Sequence, residues 1–307
     1  MPRGPRIDIE GAVYHVIGRG VERRAIFRND GDRRDFLKRL AELSGAEDIT
    51  LFAYVLMNNH FHLVVRRGIR LLGGFMRRLL TGYSTAFNLR HRRSGHLFQN
   101  RYQAVLCDAE EYLLTLVRYV HLNPVRAGMV ADPGAYAWSS HAAYLQRRPP
   151  ACLDTQTVLA VVGGKAAYRR FVTEGLSEGK RSELCGRISG RSDGAGSGLW
   201  LGGQLLGSEG FARGMVKRAR GKEARRLLEL GRAEELPELV AGVSKRLKVA
   251  EVVLCGAGRS AAVSRSRREV IRVAVLQRGI RPVEVSRYLG ISTAAVAQQL
   301  RRLEESA

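Results

Sequence analysis

The sequence predicts an α+β fold for its N-terminal half, in which helices cover one face of a mainly antiparallel sheet. Two kinds of pattern support this prediction. Short segments of alternating apolar residues, rich in β-branched and aromatic side chains, are typical of strands. Longer segments with apolar residues three and four positions apart are typical of helices. Together they give the order β-α-β-β-α-β-α.

The first part of this order comes from four segments. "AVYHVIG" (residues 12–18) alternates and predicts a strand. "DGDRRDFLKRLAEL" (30–43) predicts a helix, because its leucines and phenylalanine recur at helical spacing and an aspartate at its start can cap it. "TLFAYVLM" (50–57) and "HFHLVV" (60–65) predict two strands joined by a turn at Asn58 and Asn59.

The second part comes from three segments. "LLGGFMRRLLTGYSTAFNLRH" (71–91) predicts a long, arginine-rich helix, and "RYQAVLC" (101–107) predicts a further strand. "AEEYLLTLVRYVHLN" (109–123) is strongly amphipathic and predicts a helix packed on the sheet. Pro124 is expected to end this helix, because proline lacks an amide N–H and clashes with the preceding turn.

The chain is long enough for two domains. All seven histidines lie at or before His141, so we expect the chemistry in a first domain over residues 1–148. Residues 149–255 predict a helical extension that includes the linker "SGRSDGAGSG" (189–198). Residues 256–307 predict a mainly helical region that contains a helix-turn-helix.

Charge is the most informative bulk property. The chain has 51 Lys and Arg against 29 Asp and Glu, a net charge of +22. Both halves share this excess, and residues 49–107 contain nine arginines and no acidic residue. A basic field of this kind attracts polyanions, so we expect nucleic acid as the partner; a soluble basic surface is the alternative.

The remaining composition restricts the class of protein. The four cysteines are scattered without a C-x-x-C pair, which excludes a cysteine-rich zinc site and favours a reducing compartment. No secretory leader and no apolar run of membrane-spanning length is recognisable. We therefore expect a cytoplasmic protein without a membrane partner.

Two histidines on one predicted strand point to metal binding. Residues i and i+2 of a strand share a face, so His60 and His62 present two imidazoles side by side while Phe61 points to the opposite face. Neutral imidazole is a good ligand for divalent cations. An H-x-H pair alone is a weak signal, since an incidental hydrogen-bonded pair has the same pattern.

The helix predicted over 109–123 can supply further polar groups to the same site. Tyr119 and Asn123 are four residues apart and share a face, and Tyr112 lies near that face two turns earlier. The alternative is a half-buried tyrosine with an asparagine that caps the turn at Pro124.

These motifs together resemble the HUH-type single-tyrosine transposases, in particular the REP-associated tyrosine transposases. The resemblance covers about residues 5–148. It rests on five segments: "YHVIGRG" (14–20), "NNHFHLVV" (58–65), "GHLFQNRY" (95–102), "YLLTLVRYVHLNPVRAG" (112–128) and "WSSHAAYL" (138–145). It implies a ferredoxin-like catalytic domain.

The resemblance also implies a reaction. His60 and His62 correspond to the pair that binds Mg²⁺ or Mn²⁺, Tyr119 to the nucleophile, and Asn123 to a third ligand where many relatives carry glutamine. Tyr112 is the rival nucleophile. The implied enzyme nicks and rejoins single-stranded, hairpin-containing DNA through a covalent 5′-phosphotyrosine. A non-catalytic DNA-binding regulator that keeps this scaffold is the alternative. A homodimer is compatible with the resemblance but undetermined.

Arginines that follow the histidine strand are expected to contact the DNA backbone, although a solvated helix face has the same pattern. The predicted contacts are Arg66, Arg67, Arg70, Arg77, Arg78, Arg90, Arg92 and Arg93.

The segment "RPVEVSRYLGISTAAVAQQLRRLE" (281–304) has the pattern of a helix-turn-helix, with Gly290 in the turn. It is similar to the C-terminal DNA-binding domain of the replication initiator DnaA, and a plain helical bundle is the alternative. The similarity implies Thr293, Gln298 and Arg302 as contacts to duplex DNA.

Overall fold

The computed structural model describes residues 6–177, and residues 199–304 with gaps at 202–203, 220, 222, 226, 229–234, 257 and 259. The predicted linker at 189–198 lies outside the described residues. The described chain falls into two compact units that divide after Arg213. No helix in the described ranges is long and apolar enough to cross a membrane.

The first unit combines a sheet with six α-helices in its described part. Its strands are β1 (Val13–Arg19), β2 (Ile49–Leu56), β3 (His60–Arg67), β4 (Gln103–Cys107), β5 (Leu199–Leu201) and β6 (Leu205–Gly207). Its helices are α1 (Asp30–Ala46), α2 (Leu72–Arg90), α3 (Ala109–Arg126), α4 (His141–Leu145), α5 (Gln156–Val162) and α6 (Lys165–Glu174). The division after Arg213 falls within a further helix, α7 (Glu209–Arg218). The predicted α+β class and the order β-α-β-β-α-β-α are confirmed.

The sheet has the strand order β2-β3-β1-β4-β6-β5. β1 pairs antiparallel with both β3 and β4, and β2 pairs antiparallel with β3, which is the ferredoxin-like arrangement. The two short strands β5 and β6 were not predicted. β6 pairs parallel with β4 and extends the sheet beyond that strand.

One face of the sheet carries the aromatic core. Phe61 on β3 packs against Phe36 of α1 at a ring-centroid distance of 5.1 Å, and Phe36 packs against Tyr83 of α2 at the same distance. Gly18 lies opposite Phe61 in the β1–β3 register. A Cβ at Gly18 would come within 2.3 Å of the Phe61 ring, so a side chain there would displace this core residue.

The opposite face carries His62 and is covered by α3. Successive strand residues point to opposite faces, so Phe61 and His62 are separated by the sheet. Tyr119 of α3 contacts the His62 ring. Helices therefore lie on both faces rather than on one, because β3 is apolar on both sides and neither face can be left to water.

Two helix boundaries differ from the prediction. Asn29 rather than an aspartate is the N-cap of α1, and Asp32 completes the capping box by accepting from the Asn29 amide. Pro124 does not end α3, which continues to Arg126. A proline so near the C-terminus of a helix removes only one hydrogen bond, and the backbone resumes with Ala127 N–H donating to the Asn123 carbonyl.

Residues beyond the predicted boundary at 148 pack onto α3 through a buried polar network. The Tyr168 hydroxyl of α6 lies 2.7 Å from His121 Nδ1 and 2.8 Å from His141 Nδ1. His121 Nε2 lies 2.7 Å from Ser140 Oγ. All four side chains are buried. We call these four residues the buried polar network; it joins α3, α4 and α6.

The second unit is helical in its described part. It contains α8 (Leu236–Leu247), α9 (Glu251–Leu254), α10 (Ala261–Ile271) continued by a π-helical turn (Arg272–Gln277), α11 (Pro282–Leu289) and α12 (Thr293–Glu304). Its core joins Val240 of α8 to Val270, Leu289 and Val296, so it extends across the predicted boundary at 256. The Arg267 guanidinium donates to the carbonyl of Leu254, at the end of α9, and to that of Gly258 in the loop that follows.

Candidate functional site

Three elements bring histidine and tyrosine rings together on the α3 face of the sheet. His60 and His62 lie on β3, with ring centroids 5.1 Å apart, as the alternation of the strand predicts. His15 lies on the neighbouring strand β1, and its ring stacks on His62 at 5.1 Å. The Tyr119 ring stands edge-on to both, 5.8 Å from His62 and 5.9 Å from His15.

The His62 imidazole is suited to act as a neutral ligand. His62 is 3% exposed, and burial lowers its pKa well below the usual range, with the neighbouring His15, His60 and Arg19 acting in the same direction. His62 is therefore neutral at physiological pH, and a neutral ring has one nitrogen lone pair to offer.

Each histidine of the pair makes a hydrogen bond through Nδ1. His60 Nδ1 lies 2.6 Å from Asn59 Oδ1, and His62 Nδ1 lies 2.9 Å from His15 Nε2. In both residues, therefore, Nδ1 is the ring nitrogen that takes part in this hydrogen bond. The Nε2 atoms are the positions from which both rings could bind a ligand.

Tyr119 rather than Tyr112 lies against the histidine rings. Both tyrosines are on α3 and both are 7% exposed. Seven residues of helix separate them by about 10 Å along the axis. The ring contacts therefore favour Tyr119 as the residue that shares a site with His62.

Asn123 and Arg126 extend the site along α3. The Asn123 side chain donates through Nδ2 to the Tyr119 carbonyl at 2.9 Å, which leaves its amide oxygen as the atom that could bind a cation. The Arg126 guanidinium carbon lies 5.5 Å from the centroid of the Tyr119 ring. The sequence analysis missed Arg126, although its spacing of seven residues from Tyr119 already places both on one helix face.

The donor set fits a divalent cation in part. Within the described ranges, no group of three or more His, Cys, Asp or Glu side chains could hold a metal ion. His60 and His62 offer two imidazoles, and Asn123 offers an amide oxygen. Such a set, completed by water or a substrate phosphate, suits the oxygen and nitrogen preferences of Mg²⁺ or Mn²⁺.

The arginines predicted to contact DNA divide into three groups. Arg70, Arg77 and Arg92 are exposed, and none of them pairs with a described acidic residue. Arg66 lies over the Phe52 ring, and Arg93 lies near the Phe87 ring.

The third group is held by carboxylates. Arg67 is buried and pairs with Asp8 at 2.9 Å, and Arg90 pairs with buried Asp32 at 2.6 Å. Arg78 pairs with Glu47. The Arg67 contact predicted from the sequence is therefore corrected to a structural role, because burial beside Asp8 removes it from a DNA-accessible surface.

The residues predicted on α12 do not share one face. Gln298 and Arg302 are exposed and four positions apart. Thr293 lies near the packing side that carries Val296, and its hydroxyl is 3.2 Å from Ser286 of α11. Thr293 therefore joins the two helices, and the predicted surface reduces to Gln298 and Arg302.

The first unit is an α+β domain with a site that combines imidazole and phenol side chains. The histidine pair lies on an inner strand of the sheet, and the tyrosine faces it from the covering helix. Residues 8–123 match the model of the family described as "Transposase IS200 like". The resemblance predicted from the sequence is confirmed over this segment. The match supports a transposase-type DNA endonuclease as the class of this unit.

Among solved structures, the chain is similar to a REP-associated tyrosine transposase bound to a REP hairpin. The identity is 16%, the TM-score is 0.43, and the similarity covers 48% of this chain and 87% of that chain. No curated protein matches the sequence. The similarity of residues 256–307 to DnaA stays a prediction.

Proposed function

We propose that the protein nicks and rejoins single-stranded DNA through a covalent 5′-phosphotyrosine on Tyr119. The observation that carries this proposal is the contact of the Tyr119 ring with His62 and His15 on the sheet face. A tyrosine hydroxyl beside imidazole rings suits phosphodiester cleavage, in which the hydroxyl acts as the nucleophile.

Bond making and breaking balance in one step. The Tyr119 hydroxyl oxygen bonds to phosphorus, and the bond from phosphorus to the 3′-oxygen breaks. The phenolic proton passes to solvent, and the leaving 3′-oxygen takes one up. The product is a phosphotyrosine with a free 3′-OH, which can attack in the reverse direction without ATP.

His60, His62 and the amide oxygen of Asn123 would hold the cation. When bound, a divalent cation neutralises charge on a non-bridging phosphate oxygen. The side chains keep their own roles: the imidazoles orient the scissile phosphate toward Tyr119, and burial of His62 excludes water from that side. The Arg126 guanidinium adds positive charge beside the Tyr119 ring.

DNA would follow the exposed arginines beyond β3. Arg70, Arg77 and Arg78 line one surface depression together with the exposed apolar residues Ile69 and Leu71. Guanidinium groups attract the phosphate backbone, while apolar side chains beside them can contact unstacked bases. We further propose that Gln298 and Arg302 of the second unit contact duplex DNA.

The test is a covalent adduct assay with a single-stranded hairpin oligonucleotide and Mn²⁺. Wild-type protein should form a denaturant-resistant adduct that EDTA prevents. Tyr119→Phe should form none, and Tyr112→Phe is the matched control because it removes the hydroxyl of an equally buried tyrosine on the same helix. An adduct that survives in Tyr119→Phe and disappears in Tyr112→Phe would refute the assignment. Absence of any wild-type adduct on its hairpin, with DNA binding intact, favours the non-catalytic regulator.

A further inference from the structure

We infer that Asn59 and His15 are positioning residues that hold His60 and His62 in the tautomer with the proton on Nδ1, so that both Nε2 atoms carry lone pairs. The inference rests on the proposed function and deepens it, because it assigns the groups that prepare the histidine pair for a cation. It stands on two contacts, one from the β2–β3 join and one across the sheet from β1.

The contact at His60 fixes the proton position. The Asn59 amide nitrogen donates to the Arg23 carbonyl at 2.9 Å, which orients the amide and turns its oxygen toward His60. That oxygen lies 2.6 Å from His60 Nδ1. A carbonyl oxygen only accepts, so His60 carries its proton on Nδ1.

The contact at His62 has two possible proton arrangements. His15 Nε2 and His62 Nδ1 are 2.9 Å apart, and both residues are buried. If His15 donated, His62 would hold its proton on Nε2 and could not bind a cation there. If His62 donates through Nδ1, its Nε2 is free, so the arrangement that permits binding is the one in which His15 accepts.

The sheet register holds this second contact in place. Ile17 lies opposite His62, and His15 lies two residues along β1 on the same face. The two rings stack with an interplanar angle of 23°. His15 is therefore placed by backbone pairing rather than by a mobile loop, and its Nε2 stays aimed at His62.

Residues that hydrogen-bond to metal ligands have a measurable effect on metal affinity. Removing such a partner weakens metal binding by about 10–100-fold, because the ligand loses its orientation and its tautomer. Loss of Asn59 should act on His60 alone, and loss of His15 should act on His62 alone. This separation distinguishes positioning from a general loss of folding.

The experiment reads the tautomers directly in the full-length, metal-free protein. Long-range ¹H–¹⁵N correlation spectra of histidine-labelled wild type should show His60 and His62 protonated on Nδ1. Asn59→Leu should convert His60 to a mixture while His62 is unchanged, and Asn59→Asp, which keeps an acceptor oxygen, should keep a proton on His60 Nδ1. His15→Phe keeps a ring of similar size and should perturb His62 only. Mn²⁺ binding followed by electron paramagnetic resonance should weaken about 10–100-fold in Asn59→Leu and in His15→Phe.

Protonation on Nε2 in the wild type would overturn the inference, and so would unchanged tautomers and Mn²⁺ affinity in Asn59→Leu. If His15→Phe does not fold, Asn59→Leu still tests the inference, because Asn59 lies at the half-exposed join between β2 and β3. The spectra need neither DNA nor cleavage. Protonation on Nδ1 in a protein that forms no adduct would therefore leave this inference intact and refute only the proposed function.

Discussion

The buried polar network gives a quantitative test of how residues beyond the family match support α3. Tyr168→Phe removes a hydroxyl that lies within hydrogen-bond distance of His121 Nδ1 and His141 Nδ1. Because both rings are buried, each loses a partner that water cannot replace. An unsatisfied buried polar group costs about 1–3 kcal/mol, so the free energy of unfolding should fall by about 2–4 kcal/mol.

Tyr144→Phe is the matched control for this substitution. Tyr144 is also fully buried, and its ring stacks on Tyr168 at 4.6 Å. Its hydroxyl donates to a single acceptor, the Phe52 carbonyl. Loss of that one hydrogen bond should cost about 1 kcal/mol, so the two variants should differ by at least about 1 kcal/mol.

Urea unfolding followed by tryptophan fluorescence measures this difference. Both tryptophans of the chain, Trp138 and Trp200, belong to the first unit, so the signal reports that unit. Equal decreases in the free energy of unfolding in Tyr168→Phe and Tyr144→Phe would refute the claim that the buried polar network stabilises α3. A decrease below about 0.5 kcal/mol in Tyr168→Phe would also refute it.

Three further predictions concern pH, salt and the second unit. Burial holds the pKa values of His62 and His121 well below the usual range, so both histidines take up protons when the protein unfolds below about pH 6.5. The free energy of unfolding should be highest above that pH and should fall below it by up to about 1.4 kcal/mol per pH unit for each histidine. An unfolding free energy that does not change from pH 7 to pH 5 would contradict this prediction. Replacing both Arg70 and Arg77 by alanine should weaken single-strand binding and lower the slope of log affinity against log salt concentration by about 1.4. The control Arg34→Ala on α1 should leave that slope unchanged, and equal slopes in the two variants would exclude the proposed DNA path. Replacing both Gln298 and Arg302 by alanine should weaken duplex binding, measured by fluorescence anisotropy, about 10-fold or more. Single-strand nicking, measured by adduct yield, should persist. An unchanged duplex affinity would exclude α12 from the DNA interface.

The order of elements in the first unit could be predicted because its apolar residues repeat with clear periods. The alternation of β3 placed His60 and His62 on one face, and the helical spacing of α3 placed Tyr119 and Asn123 on one face of that helix. β5 and β6 could not be predicted, because three-residue strands are too short to show a period and their pairing with β4 depends on contacts across about 100 residues.

The groups around the histidine pair were less accessible to sequence reasoning. The contact between His15 and His62 depends on the β1–β3 register, which a single strand does not reveal. Tyr168 meets His121 across 47 residues and lies beyond the motifs that carry the family resemblance. Arg67 appeared to belong to a basic DNA path, because sequence spacing cannot show that Asp8 pairs with it in the folded chain.

The most direct test of the central claim is to locate the nucleotide on the wild-type protein. Trypsin cleavage after Arg118 and Arg126 gives a peptide of residues 119–126 in which Tyr119 is the sole tyrosine, whereas Tyr112 falls in the peptide of residues 102–118. After reaction with the oligonucleotide, nuclease trimming and mass spectrometry, the account predicts a phosphonucleotide on residues 119–126. A phosphonucleotide on residues 102–118 would contradict the account.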